Sequence, residues 1–440
     1  MRPRIGCYTV YEPTEEGWED HQAQFETICA ALENAGAEVI PAAEAVMDEA
    51  SCSRVAEFFS NQKIDLLHAL IITWSFDHYT YLIQQKVGLP VVIRTIPGIR
   101  TGSVVGGQQL GCLLSDLEIQ HKLIYGALDS DRAVTETIVY AKACGLRSQL
   151  KGAAFLMLGR RTPGMTPIAV DEVELMRTFG IRMITMGMDE FQHEVDAIPR
   201  ETAAAQWKDL IPKAASVTST SEHGVATMQY YLALKKLIGE LNLKAVTVGS
   251  YPACAGTACL PISLLNDEKA VVAGCEGDMN STLAMFLLNQ LSEGPVLFGE
   301  MLEINEEENT LVTSHCGAGS ASMADQDGFI LCPVRLMHTG VAIRFKSKPG
   351  SITYVNLSGR KDNYRLCSIE GDGLPTEMVF EGNPLRFRLK SPISKVWNAV
   401  DEYGFNHHWM CAYGNHTAVL TEFCKLTGIR GVFPDIDRII

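Results

Sequence analysis

The sequence has no Cys-x-x-Cys pair, no long apolar run and no surplus of basic residues, and each absence narrows what the chain can be. Its 13 cysteines are scattered, with Cys254 and Cys259 the closest approach to a motif. That excludes a structural zinc site built on clustered thiolates. Single cysteines among apolar neighbours suit a reducing compartment, where they act as small core residues, so the expected location is cytoplasmic. The most apolar stretch, Ile64–Trp74, contains His68 and is too short to span a bilayer. The opening residues, Met1 to Pro13, lack the apolar segment of a secretory signal. Lys and Arg number 37 against 52 Asp and Glu, a formal net charge of −15. Such a surface repels nucleic acid and anionic membranes, and a small molecule is the expected partner. A few local arginines are enough to keep an anionic substrate compatible with it. No Gly-x-Gly-x-x-Gly follows the first apolar run, Ile5–Val10, so a dinucleotide lacks its usual cradle.

What is present is a globular composition, 47% hydrophobic over 440 residues, enough for about three domains at roughly 150 residues each. Over 1–150, apolar runs at Ile5–Val10, Glu38–Ile40, Ile64–Thr73 and Pro90–Arg94 alternate with helical patterns. Near-continuous Val, Ile and Leu runs predict parallel strands covered on both faces. Thr95–Gly111, rich in Gly, Ser and Pro, reads as a long loop before a helix from about Leu113. It follows a strand's carboxyl end, where open α/β sheets bind ligands. Arg100, Gln108 and Gln109 are therefore candidate substrate donors, and Arg94 and Arg100 candidate partners for an anionic tail. A second α/β pattern runs from Gly152 to about residue 293. Beyond Gly294, short β-rich runs separated by Gly, Pro and Asp turns predict an antiparallel sheet or barrel, closed by an αβ unit. The expected fold is α/β, with two Rossmann-like parallel-sheet domains at 1–150 and 151–293 and a β-rich, barrel-like domain at 294–440.

Four segments carry chemistry. In Val271-Val-Ala-Gly-Cys-Glu-Gly-Asp278 a buried strand ends on Glu276, with Asp278 placed to cap the next helix. In Val296-Leu-Phe-Gly-Glu-Met-Leu-Glu303 an apolar strand carries Glu300, and Glu303 belongs to the opposite face. His315 follows Val312-Thr-Ser, and His407-His408 opens a strand near the C-terminus. Two carboxylates and two imidazoles on strand ends suit an octahedral Mn²⁺, Co²⁺ or Mg²⁺ site. A histidine in any one of these places is also at home as a hydrogen-bonded core residue.

The order and context of these segments resemble the L-arabinose isomerase and L-fucose isomerase superfamily. The Glu-Gly-Asp turn before a helix is matched by Glu276-Gly277-Asp278, and the second acid by Glu300. The Ser-His context is matched by Ser314-His315 and the last histidine pair by His407-His408, with His408 favoured by its distance from Leu426-Thr-Gly-Ile429. The resemblance implies that Glu276, Glu300, His315 and His408 hold Mn²⁺, or Co²⁺ or Mg²⁺. It also implies that the two glutamates act as acid and base on a cis-enediol between an aldose and its 2-ketose. Pentoses and 6-deoxyhexoses are the usual substrates of that family. The arginines equally suit a modified hexose with an anionic C6 group, such as sulfoquinovose. A trimer or hexamer is implied, with Pro97–Gly111 reaching a neighbour's site. The rival reading is a sugar-binding receptor module, which needs no convergence of the four residues.

Overall fold

Leu66–Ile71 and Val91–Thr95 are buried along their whole length, which is what strands covered on both faces require. They lie in the first of two compact units, Met1–Gln149 and Leu150–Ile440, in a computed structural model that describes residues 1–252 and 254–440. In the first, β1 (Arg4–Val10), β2 (Glu38–Pro41), β3 (Leu66–Ile71), β4 (Val91–Thr95) and β5 (His121–Tyr125) form one sheet in the order β2-β1-β3-β4-β5. Every pairing is parallel. Tyr8, Phe59, Leu67 and Ile93 are among the residues that fill its core.

The long glycine-rich loop expected up to Gly111 is corrected. The helix begins at Ser103 and runs to Asp116, so Gln108 and Gln109 are helical. Its glycines serve close packing: a Cβ on Gly107 would lie 2.1 Å from Thr95 Cγ2, and one on Gly106 3.2 Å from the Trp74 Cα. Small residues here let the helix sit against the sheet. The strand β5 and the helix Asp131–Leu150 were not foreseen.

The second unit begins with β6 (Ala154–Leu158), β7 (Arg182–Met186), β8 (Ser216–Val217), β9 (Leu243–Val248) and β10 (Val272–Gly274). Four of these form a parallel sheet, β10-β9-β6-β7. The chain continues through β11 (Val296–Asn305), β12 (Thr310–Ser314), β13 (Ile330–Cys332), β14 (Ala342–Arg344), β15 (Gly350–Ser358), β16 (Arg365–Leu374), β17 (Leu385–Leu389), β18 (His408–Tyr413), β19 (Arg430–Phe433) and β20 (Arg438–Ile439). Six of them run β15-β18-β11-β12-β17-β16, and β16 pairs again with β15, so the ring closes into a barrel. Closure removes the open edges that a free antiparallel sheet would expose. Tyr354 stacks on Trp409 at 5.0 Å and meets Phe387 edge-on, all three buried. No helix among the described residues is long and apolar enough to cross a membrane.

Candidate active site

Glu276 leaves the carboxyl end of β10 on a turn that only a constrained backbone provides. Its φ is +61°, a conformation uncommon for a residue with a side chain. The turn is held by its own hydrogen bonds: Thr162 N donates to Glu276 O at 3.0 Å and Gly277 N to Val248 O at 3.0 Å. Gly277 has φ +71°, and a Cβ there would lie 2.7 Å from the Arg161 Cα. Glycine is needed at that point. Asp278 then caps the helix Met279–Leu291, accepting from Ser281 N at 3.0 Å and Ser281 Oγ at 2.6 Å.

The barrel supplies the imidazoles. On β18, His408 stands directly opposite Glu300 of β11, and Glu300 stands opposite Ser314 of β12 on its other side. His315 is the next residue after that strand. Ligand atoms of Glu276, His315 and His408 lie within 4.8 Å of one another, as do those of Glu300, His407 and His408. The four residues expected from sequence thus fall into two overlapping groups that share His408, and His407 joins the second beside Glu300. Glu303 stays outside, exposed and paired with Arg386 at 3.6 Å.

His408 is fully buried and held at both nitrogens: Nδ1 is 2.7 Å from Asp278 Oδ2 and Nε2 is 2.9 Å from Glu276 Oε2. Burial pushes its pKa down, but the two hydrogen-bonded carboxylates outweigh that and carry it up to about 9. Glu276 shows the mirror image. Its burial raises the pKa, and His408 with His315 reverse this to a net lowering. Burial likewise opposes charge on His315, where Cys316, Glu276 and Glu300 prevail and raise it to about 10. His407 is lowered, by burial and then by the charge of His408. Phe298 packs edge-on against both His315 and His408, at 5.2 and 4.6 Å, which fixes the rings in place.

These donors fit a divalent cation. Two ligands about 2.1 Å from one octahedral ion and at right angles lie about 3 Å apart. The 2.9 Å between Glu276 Oε2 and His408 Nε2 matches that spacing. Asp278 on the far nitrogen fixes the ring orientation and raises the basicity of Nε2, as a carboxylate behind a metal-binding histidine does. Sequence reading assigned Asp278 only to the helix cap. The signal for its second role is its place two residues after Glu276 at a buried strand end.

The candidates in the first unit have other occupations. Gln109 accepts from Trp74 Nε1 at 3.0 Å and donates to Asp77 Oδ2 at 3.0 Å, whereas Gln108 and Arg100 are exposed. Arg94 is fully buried on β4 and donates to the carbonyls of Thr95 and Ala127, so it is neither a solvated loop residue nor open to a ligand.

No protein-family model matches the chain. It is 27% identical over 377 residues to the sulfoquinovose isomerase of Alkalicoccus urumqiensis, a match taking in 81% of this chain and 83% of that one. It is 23% identical over 378 residues to the sulfoquinovose isomerase of Priestia aryabhattai, with 83% and 85% covered. Both support an isomerase. Among solved structures, a periplasmic arabinose-binding protein from Shewanella sp. ANA-3 aligns over 56% of this chain and 73% of its own, at 13% identity and a TM-score of 0.19. That value decides nothing between an enzyme and a receptor.

Proposed function

We propose that the protein is a divalent-metal-dependent aldose–ketose isomerase acting on a sulfonated hexose, sulfoquinovose, which it converts to the 2-ketose through a cis-enediol. The observation that carries the reading is the convergence of Glu276, His315 and His408 within 4.8 Å, from the end of β10 and from two barrel strand ends. The likeness to two sulfoquinovose isomerases along four-fifths of the chain supports the substrate. Mn²⁺, or Co²⁺ or Mg²⁺, would be held by Glu276, His315, His408 and Glu300. Bound there, the ion supplies Lewis acidity at the O1 and O2 oxygens, where negative charge develops.

The chain's own groups move the protons. The Glu300 carboxylate is half-buried, with no side-chain hydrogen bond among the described residues, and would take the C2 proton, exchange it with solvent and protonate C1. Glu276, anchored by His408 and kept ionised, handles the proton passing between O1 and O2. His407, beside Glu300 and held neutral by its lowered pKa, donates to a sugar hydroxyl. A trimer or hexamer in which residues 97–111 reach a neighbour's site rests on the superfamily resemblance. A cytoplasmic location rests on the scattered cysteines of the sequence, none in a Cys-x-x-Cys pair.

The test is metal content and sulfoquinovose turnover, measured side by side. Glu276→Gln is expected to lose both the ion and turnover, and Glu300→Gln to lose turnover by about 10³-fold. Full turnover in either variant rejects the assignment.

A further inference from the structure

An anionic sugar meets an unfavourable field at this site. Glu276, Asp278 and Glu300 stand together in a chain of net charge −15, and a sulfonate is ionised at every physiological pH. Binding therefore needs fixed cations at the end of the sugar away from C1 and C2.

The loop after β6 brings two. Its backbone crosses the carboxyl ends of β9 and β10 and is fastened to the glutamate itself. Thr162 donates to Glu276 O through both its N, at 3.0 Å, and its Oγ1, at 3.2 Å, and through Oγ1 also to Tyr251 O at 3.2 Å. Gly277 and Gly249 are small because this loop lies on them: a Cβ on Gly277 would meet the Arg161 Cα at 2.7 Å, and one on Gly249 would meet Arg160 O at 2.1 Å. Arg161 and Arg160 thus lie one and two residues before Thr162, which binds Glu276 O. Arg160 is exposed and Arg161 half-buried. Among the described residues neither forms an ion pair, and Arg161 spends one donor, Nη1, on Thr162 O at 3.3 Å. Most of the guanidinium donors are left over, close in sequence to the Thr162 that binds Glu276 O. Of the arginines named from sequence, Arg94 does not compete for the part, because it is walled into the first sheet.

We infer that Arg160 and Arg161 are the specificity residues that bind the C6 sulfonate, holding it away from the carboxylates while C1 and C2 lie at the Glu276–His408 pair. The inference rests on the proposed reaction. Guanidinium donors suit a sulfonate because their fixed fork meets two of its oxygens at once.

The experiment compares sulfoquinovose with its neutral parent quinovose in the Mn²⁺-loaded wild type, Arg160→Ala, Arg161→Ala, the double variant and Arg161→Lys. It reads kcat and KM for sulfoquinovose and the inhibition constant of quinovose against it, with metal content as a check on the site. Loss of one charged hydrogen-bond partner corresponds to about 10- to 100-fold in affinity. The single alanine variants are expected to raise KM for sulfoquinovose by that factor, with kcat changed far less. The quinovose inhibition constant and the metal content stay as in the wild type, and Arg161→Lys recovers part of the loss. Equal losses for both sugars would mean that the loop is structural and would overturn the assignment, as would unchanged selectivity in the double variant. A wild type that turns over no sulfoquinovose removes the proposed reaction and the arginine assignment with it. A wild type that does, with variants of unaltered selectivity, removes the assignment alone.

Discussion

The two parallel sheets end in opposite ways. At the carboxyl edge of the first, polar groups are spent mainly on one another: Trp74, Gln109 and Asp77 form a chain of hydrogen bonds, Ser103 Oγ donates to Ile71 O, and Arg94 donates to two carbonyls, leaving its buried Nε without a partner among the described residues. At the edge of the second, Glu276 is held at a positive φ facing imidazoles from another sheet, and the groups that meet there are charged. One architecture, used twice, carries a network of mostly neutral hydrogen bonds in one place and a cluster of carboxylates and imidazoles in the other. The difference lies in what the polar side chains have left to bind, not in the sheet.

The comparison breaks most sharply at His408, which both groups of site residues share. His408→Ala is expected to abolish metal retention and to lower turnover by at least about 10³-fold. His407→Ala should cost only about ten-fold and leave the ion in place. Equal losses would mean that the ring facing Glu276 is not the one that matters. Asp278→Asn separates cap from charge, since asparagine caps a helix about as well as aspartate. Metal affinity, followed by titration, should fall about 10- to 100-fold while the melting temperature of the ion-free protein moves little by comparison. A pure capping role predicts no change in affinity.

The pH dependence follows from the same pair. In the ion-free protein His408 titrates near 9, above its unfolded value of about 6.5. Its contribution is therefore fully present below about pH 6.5 and is lost as pH rises through 9, an effect on the order of 3 kcal/mol. His315 acts in the same direction. Denaturant unfolding of chelated protein at pH 6.5 and 9.5, with His408→Asn as the reference, measures it, and parallel curves would refute it. The smallest effect belongs to the first sheet. Gln109→Met should cost about 1 kcal/mol of stability and leave metal content untouched. A fall in kcat would bring that helix into a neighbour's site.

The strands were legible in sequence because burial on both faces writes itself as unbroken apolar runs, as in Val91–Thr95. The barrel was legible only as a possibility, since its closure depends on β15 pairing with β16 as well as β18, which local pattern does not encode. Thr95–Gly111 misled because glycine serves two ends. Gly106 and Gly107 lie in a helix for the sake of packing, yet they read as loop. Glu276 and His408 could be named from the residues beside them, but the sequence separation of 130 between His408 and Asp278 hides their hydrogen bond from any local reading.

The central claim is that Glu276, His315 and His408 make a metal site that isomerises a sugar by proton transfer. Sulfoquinovose turnover in D₂O, followed by NMR with chelated protein and again after Mn²⁺ is restored, tests it most directly. The account predicts no ketose without the ion, ketose once it is returned, and solvent deuterium at C2 of the remaining aldose. Ketose formed by the chelated protein, or a C2 hydrogen carried to C1 without exchange, would contradict it.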